Sequence, residues 1–337
     1  MHNKRIGRQT VKLSAPPCLR ASAAIAGKKE GDGPLGDRFD LVEADAYFSQ
    51  KTWEQGESTM FTRCLRLACQ KAEIEPDDLD LILSGDLQNQ CAGAAYAMRD
   101  IRAPYLGLYG ACSTMAESMA LAALLIDGGA ADSCAALTGS HYCTAERQYR
   151  FPLGYGGVRT PTAQWTVTGA GCVLVSSTGF GPRITTVTTG RILDLGVKDM
   201  TNMGAAMAPA AYDTLKEHFT DTGRAPADYD LIVTGDLGHH GHNIVTELFR
   251  QDGVLLDNYD DCGRMIYDRE RQDVHAGGSG CGCSAVVLAG HLLRRMREGE
   301  LKKLLFAATG ALMSPTTSMQ KESIPAICHA VSIEVDP

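Results

Sequence analysis

The sequence predicts an α/β fold of two pseudo-symmetric halves, each with a parallel or mixed sheet covered by helices. Three observations support this prediction. The segment 78–87 recurs 150 residues later as 228–237, and in both copies a short apolar run ends in Gly-Asp. A Cys-Ser pair at 112 and again at 283 opens an apolar helical run, and the following strand reaches Thr-Gly 26 residues after each cysteine. Helix-like and strand-like segments also alternate along the chain.

The elements of the first half follow one another at short spacing. The predicted order is a helix over 52–71, a strand over 79–84, a helix over 90–100, a strand over 104–108, a helix over 112–127 and a strand over 133–138. The fifth of these is apolar on nearly every side, with Glu117 as the exception, so we expect it to be buried all round.

The two halves differ in length. We expect an N-terminal half over 1–180 and a C-terminal half over 181–337, with the boundary near 177–182. The Gly-Asp aspartate and the cysteine lie 26 residues apart in the first half and 47 residues apart in the second. The second half therefore carries about twenty extra residues, which we place around 259–275, where charges and turn formers cluster.

Composition excludes several classes of protein. The chain has 337 residues, 44% of them hydrophobic and 21% charged, which is globular composition. A net charge of −8 without long runs of one sign argues against nucleic-acid binding. The longest apolar stretches, 119–126 and 285–289, are too short for a bilayer span, so membrane contact would be peripheral. The twelve cysteines indicate reduced thiols in an intracellular compartment.

The region around Cys112 resembles a known fold. With the duplication, Gly110-Ala111-Cys112-Ser113-Thr114 resembles the thiolase fold, an αβαβα layered sandwich of two pseudo-symmetric halves in which a nucleophilic cysteine opens a buried helix. Longer motifs resemble those of the stage V sporulation protein AD family: 28–36, 144–152, 203–211 and 320–325. The resemblance runs from about residue 27 to residue 335.

The family resemblance implies a non-enzymatic role. It implies binding of dipicolinic acid, with calcium, for uptake into the developing spore and for release on germination. The implied partners are membrane subunits of the same stage V sporulation system. The implied location is intracellular, peripheral to the inner membrane of the spore, and the fold implies a homodimer. Neither a cofactor nor a metal site is predicted.

The chemistry expected at Cys112 is limited by its surroundings. A helix N-terminus can favour a thiolate, but acyl transfer also needs a base and oxyanion donors. We therefore expect Cys112 either to be a small buried packing residue or to mark a ligand site, where the N–H groups of the helix N-terminus bind a carboxylate. In the ketoacyl-synthase pattern a histidine follows the strand that here covers 230–234, and an asparagine precedes the helix at Ser284. This sequence has Asp236 and the glycine-rich run 277–280 at those places. Two alternatives stay open: an acyl transferase or 3-ketoacyl synthase III-like condensing enzyme using Cys112, and a structural subunit with a vestigial cleft.

A histidine cluster offers a substitute base. His239, His240 and His242 follow Asp236 closely and lie among glycines. We expect an exposed loop there, and we favour a solvated loop over a catalytic or metal-binding role.

A dianionic aromatic ligand requires cationic donors and an aromatic or apolar wall. The segment 141–157 supplies both after a strand end. Its donors are His141, Arg147 and Arg150, and its aromatic residues are Tyr142, Tyr149, Phe151 and Tyr155. Pairing of the two arginines with surface carboxylates is the alternative. Ligand contact predicts that replacing either arginine by alanine weakens binding.

Other candidates are less specific. Asp86 and Asp236 occupy equivalent positions and either cap the following helix or touch ligand. Ser279 lies in the glycine-rich run that we expect beside Cys112. Lys28 and Lys29 form either a basic lip or a solvated turn.

Overall fold

The computed structural model describes residues 4–149 and 159–335, and within these ranges the strands are short to medium in length. They are β1 Thr10–Lys12, β2 Cys18–Gly27, β3 Leu41–Glu43, β4 Leu81–Gly85, β5 Tyr105–Gly107, β6 Ser133–Ser140, β7 Trp165–Thr166, β8 Gly169–Ser176, β9 Arg183–Thr188, β10 Leu231–Thr234, β11 Tyr259–Asp261, β12 Gly278–Ser279, β13 Lys303–Ala311 and β14 Ala326–Glu334.

The helices of the same ranges vary from single turns to twenty residues. They are α1 Lys28–Gly31, α2 Trp53–Lys71, α3 Ala92–Met98, α4 Thr114–Asp127, α5 Tyr142–Tyr149, α6 Met203–Thr222, α7 Gly238–Gln251, α8 Cys262–Met265, α9 Cys281–Val286, α10 Leu293–Arg297 and α11 Pro315–Met319. A π-helical segment, Val287–Leu292, joins α9 to α10. None of the helices in the described ranges combines the length and apolarity needed to cross a membrane.

The long sheet contains two equivalent series of strands. Its order is β11-β10-β13-β14-β9-β2-β8-β6-β4-β5, and β9 meets β2 at the single pair Arg183 and Cys18. From that centre outward, each series has two antiparallel pairings followed by two parallel ones. The chain passes from one series to the other between β8 and β9, at residues 177–182. Division into domains at 180/181 stays a prediction.

Helices cover and separate the two series. On one side α2 and α3 pack on the first series through a core that includes Phe61 and Ile82. On the other side α6 and α7 pack on the second series through a core that includes Leu215 and Phe249. Between them, α4 contacts strands of both series, and α9 packs against α4. The result is the predicted five-layer αβαβα sandwich, with α4 buried at its centre.

The predicted elements of the first half are present with shifts of a few residues at their ends. The second helix, for example, is predicted over 90–100 and observed over 92–98. The Gly-Asp strands occupy equivalent positions, because β4 and β10 each pair in parallel with two neighbours. The repeat in the sequence therefore corresponds to a repeat in the sheet.

Two expectations for the second half were wrong in detail. The histidine cluster is not an exposed loop: it forms the first turns of α7, where Gly238 and Gly241 are buried. The helix expected to open at Cys283 begins at Cys281. The extra residues lie between β11 and α9, over 262–280, and contain α8 and β12.

Candidate functional site

Cys112 lies in a single 3-10 turn, Ala111–Ser113, that leads into α4. Ala111 has φ of 50°, in the left-handed region that residues with a side chain rarely adopt. The end of β13 packs directly on this turn. A Cβ added at Gly310 would lie 2.1 Å from the carbonyl oxygen of Gly110, so only glycine fits there. The second half of the chain thus contributes to the surroundings of a first-half cysteine.

The Cys112 thiol is buried and protonated. Its side chain packs with Leu87, Ala145, Cys281 and Tyr149. Burial raises the pKa of the Cys112 thiol well above its usual value, and the Asp236 carboxylate raises it further. The backbone N–H of Gly280, which donates to Asp236, acts in the opposite direction. The expectation that the helix N-terminus would favour a thiolate is corrected, because burial outweighs it.

Asp236 accepts hydrogen bonds from three donors and lies close enough to Cys112 to act on its thiol electrostatically. The backbone N–H of Gly280 donates to Oδ2 at 2.9 Å, and the Thr309 hydroxyl donates to Oδ1 at 3.1 Å. The Ser279 hydroxyl donates to Oδ2 at 3.3 Å. Burial raises the pKa of Asp236 to about 6. The structure therefore brings together three of the predicted site residues: Cys112, Asp236 and Ser279.

Asp236 does not cap the helix that follows it, because another carboxylate does. Asp261, at the end of β11, accepts hydrogen bonds from the backbone N–H groups of Leu237 and Gly238, each at 2.8 Å. It also accepts from Gly263 N–H at 2.9 Å and from the Thr234 hydroxyl at 2.7 Å. The sequence reasoning missed Asp261. One sequence feature could have identified Asp261: it is a polar residue at the end of an edge strand, and such residues lie at the carboxyl edge of the sheet.

Asp86 has a different role from its counterpart. It accepts from the backbone N–H groups of Gln88 and Ala94, each at 2.6 Å, and so caps α3. Burial raises the pKa of Asp86 to about 6. Glu57 lies behind it, fully buried, and accepts from Gln88 Nε2 and the Thr144 hydroxyl, each at 2.6 Å. Burial and the Asp86 charge raise the pKa of Glu57 to about 8. The helix-capping alternative therefore applies to Asp86.

His141 is buried at a separate place. Its Nε2 donates to the carbonyl oxygen of Ala46 at 2.7 Å, and its Nδ1 accepts from Cys143 N–H at 3.2 Å. Burial lowers the pKa of His141, so the ring is neutral. The side chain borders a cavity of about 160 Å³ that also contacts Phe48 and Trp165. His141 is therefore a pocket residue, but of this cavity and not of the Cys112 cluster.

Arg147 points away from Cys112. It forms an ion pair with Glu54 and lies over the ring of Trp53, with 5.4 Å between the guanidinium carbon and the ring centroid. About half of its side chain is exposed. This is the surface pairing that the sequence left open as the alternative. Arg150, Phe151 and Tyr155 lie outside the described residues.

The sequence did not identify two further residues near the thiol, Tyr109 and Gln164. The Tyr109 hydroxyl, which belongs to no recognised motif, shares a hydrogen bond of 2.7 Å with the hydroxyl of Tyr149. Gln164 is buried, and its Nε2 donates to the backbone oxygens of Asp236 at 2.7 Å and Gly278 at 2.6 Å. These bonds fix the backbone on both sides of the Asp236 carboxylate. A lone glutamine in a loop gives no sequence signal.

Solved structures share the layered fold. A tetronic acid condensing enzyme aligns with a TM-score of 0.58 and 17% identity, over 94% of this chain and 99% of that one. The 3-oxoacyl-[acyl-carrier-protein] synthase III of Aquifex aeolicus VF5 aligns with a TM-score of 0.54 and 13% identity, over 94% and 99%. A variant of OleA from Xanthomonas campestris aligns with a TM-score of 0.57 and 12% identity, over 97% and 98%. At these identities the likeness shows the thiolase-like fold.

Sequence comparison is more specific. The sequence model of stage V sporulation protein AD matches residues 7–334. Stage V sporulation protein AD of Bacillus subtilis (strain 168) is 46% identical over 332 residues, which cover 98% of each chain. Both matches extend through the two halves and through the Cys112, Asp236 and Ser279 cluster. The chain therefore belongs to the stage V sporulation protein AD family.

Proposed function

We propose that this chain is a non-enzymatic binding protein for dipicolinic acid, which it takes with calcium during spore formation and releases on germination. The observation that carries the proposal is the environment of Cys112. A buried carboxylate, Asp236, acts on the thiol electrostatically and raises its pKa, at the place where the ketoacyl-synthase pattern has a histidine. A cysteine in this environment keeps its proton and is a poor nucleophile.

The charge of the site favours calcium dipicolinate over the free dianion. Dipicolinate carries two carboxylates, and the ionised Asp236 side chain repels them. Calcium is a hard cation that takes carboxylate oxygens as ligands, so it offsets this repulsion when it arrives with the ligand. The polar groups that could orient the chelate are the Ser279 and Thr309 hydroxyls, which already converge on Asp236.

Calorimetric titration tests the proposal. Dipicolinate added to the purified protein with calcium should give saturable heat, and the Asp236→Asn variant should bind the chelate more weakly. The matched control is Asp260→Asn, a half-exposed carboxylate paired with Arg264 at 3.2 Å. No heat and no competition up to millimolar ligand would overturn the proposal.

The assembly follows from the same proposal. We place the protein inside a spore-forming bacterium, peripheral to the inner membrane of the spore, with membrane subunits of the stage V system as partners. The edge strand β5 is suited to a homodimer contact, since it ends the sheet and Leu106 on it is 48% exposed. Light scattering of the parent and of a Leu106→Asp variant tests the dimer, which the variant should weaken.

A second candidate function is acyl transfer by Cys112. The position of this cysteine, at the start of the central helix α4 of a condensing-enzyme fold, favours it. Release of coenzyme A from an acyl-coenzyme A, lost in Cys112→Ala, would support this candidate over the first.

A further inference from the structure

A second cluster of charged and aromatic side chains lies apart from Cys112, around Trp165. The Tyr142 ring is stacked on the indole, with 3.9 Å between ring centroids and 9° between planes. Two cations also lie against the indole. The Lys29 ammonium is 3.6 Å from the ring centroid and the guanidinium carbon of Arg159 is 4.7 Å from it. The indole thus holds two like charges close together.

The carboxylates near these cations do not balance them. Asp273 forms an ion pair with Arg159 at 3.0 Å and contacts the His275 ring nitrogen Nε2 at 2.9 Å. Within the described residues Lys29 has no carboxylate at ion-pair distance, and its ammonium donates only to the backbone oxygen of Asp273 at 3.1 Å. Burial and the Arg159 charge lower the pKa of Lys29. Among the same residues, the buried Nη1 of Arg159 has no hydrogen-bond partner. Within residues 4–149 and 159–335 the cluster therefore has two donors without a side-chain acceptor, the Lys29 ammonium and Nη1 of Arg159.

The cavity of about 160 Å³ is bordered by Lys29 and Trp165, so it gives a small molecule room next to Lys29, and Arg159 lies against the same indole. Two carboxyl groups also border the cavity, but each already has a partner. Glu43 pairs with Arg63 at 3.2 Å, and Glu30 accepts hydrogen bonds from the Tyr267 hydroxyl and from Thr168 N–H. Burial raises the pKa of Glu30. Among the lysines that border the cavity, Lys28 pairs with Asp32, whereas Lys29 has no ion-pair partner in the described part of the chain.

This cluster is joined to the Cys112 site by backbone. Trp165 and Thr166 form β7, which pairs in parallel with Gly278 and Ser279 of β12. Ser279 donates to Asp236. The basic cluster around Trp165 therefore lies beside β7, and the acidic site at Asp236 lies beside β12, its neighbour in the two-stranded sheet. The two sites thus have opposite charge and lie on neighbouring strands.

We propose that Lys29 and Arg159, held on Trp165, form an accessory site for the calcium-free carboxylate dianion, separate from the Cys112 and Asp236 site that takes the chelate. The identity of the anion as dipicolinate rests on the proposed function. A neutral calcium chelate lacks the charge that this basic site recognises, whereas the free dianion is repelled at Asp236. Calcium therefore decides which of the two sites is occupied.

Tryptophan fluorescence tests the proposal, because the chain has two tryptophans and Trp53→Phe leaves Trp165 as the reporter. Dipicolinate with a calcium chelator should quench Trp165 in this background, and Lys29→Gln should weaken the apparent affinity about tenfold, as expected for loss of a charge-assisted contact. Lys216→Gln is the matched control, since Lys216 lies on α6, does not border this cavity and pairs with Asp252 at 2.5 Å, and it should change the affinity less than about twofold.

The outcomes separate this inference from the proposed function. Equal effects of the two lysine variants, or quenching that requires calcium, would overturn the accessory site while leaving calcium-dependent binding at Asp236 intact. Lys29-dependent quenching without heat from the calcium chelate would support the accessory site and count against the proposed function. Arg159→Lys keeps the charge and should therefore retain at least part of the affinity. Complete loss of affinity in this variant, with an unchanged melting curve, would count against recognition of the anion by charge and in favour of recognition by the shape of the guanidinium group.

Discussion

Asp86 and Asp236 follow equivalent strands of the two halves, β4 and β10, but their carboxylates interact with different groups. Asp86 accepts two backbone N–H groups and caps α3, so its carboxylate is used within its own half. Asp236 accepts from Gly280, Ser279 and Thr309, and its charge raises the pKa of the Cys112 thiol of the other half. The repeated motif is thus a helix cap in one copy and a charged neighbour of the thiol in the other.

The insertion in the second half explains the difference. Residues 262–280 extend the connection after β11, and Asp261 at its start takes the N–H groups of Leu237 and Gly238. With those donors occupied, the Asp236 carboxylate is available to the turn before α9 and to Cys112. The first half has no such extension between β5 and α4, so Asp86 must satisfy the amides that follow it.

Removing Asp261 should produce the largest effect. Asp261→Ala leaves three buried backbone N–H groups without their acceptor, which should lower the free energy of unfolding by about 4 kcal/mol. Asp260→Ala, at the half-exposed neighbouring residue, should cost less than about 1 kcal/mol. Urea denaturation measures both. Equal losses in the two variants would refute the capping role of Asp261.

The contrast between the two aspartates can be sharpened at the thiol. Asp236→Asn removes the negative charge beside Cys112, so the pKa of that thiol should fall and its alkylation at a fixed alkaline pH should quicken about tenfold. Asp86→Asn should leave the rate unchanged. Peptide mass spectrometry after timed iodoacetamide treatment assigns the modification to Cys112. An unchanged alkylation rate in Asp236→Asn would show that Asp236 does not influence the protonation of the Cys112 thiol.

Stability should depend on pH through the buried carboxyl groups. A carboxyl group whose pKa is raised on folding binds its proton more tightly in the folded state. Its contribution to the free energy of unfolding is therefore lost as the pH rises through its pKa in the folded protein. Burial raises the pKa of Glu57 to about 8 and that of Asp261 to about 7. The free energy of unfolding should therefore fall by about 1 kcal/mol between pH 7 and pH 8. Glu57→Gln should flatten this slope, and an equal slope in the variant would contradict the assignment.

The smallest effect is expected at Arg147. Its guanidinium pairs with Glu54 on the surface, so Arg147→Ala should lower the free energy of unfolding by less than about 1 kcal/mol. The affinity for calcium dipicolinate should not change, because the contact is directed away from Cys112. Loss of affinity in this variant would restore the prediction from sequence that Arg147 contacts the ligand.

The sequence predicted the fold because the fold is repeated. The strands that end at Asp86 and Asp236 and the helix that follows Cys112 are visible as duplicated apolar patterns, and duplication fixes their order in the sheet. The direction of single side chains could not be predicted in this way. Arg147 and His141 follow a strand end as expected, but they turn towards α2 and Ala46, and such turns depend on packing between distant segments.

The histidine cluster shows the same limit. Glycines around His239, His240 and His242 indicate a loop by local propensity, yet two of those glycines allow close packing at the start of α7. A Cβ at Gly241 would lie 2.8 Å from the backbone oxygen of Gly204, so glycine is required by helix contact and not by a turn.

The most direct test of the central claim is the intact mass of the protein after incubation with a short-chain acyl-coenzyme A at neutral pH. Since Asp236 and burial keep Cys112 protonated, the parent should show its unmodified mass, as should Cys112→Ala. An added acyl group in the parent that is absent from Cys112→Ala would contradict the account and identify the thiol as a working nucleophile.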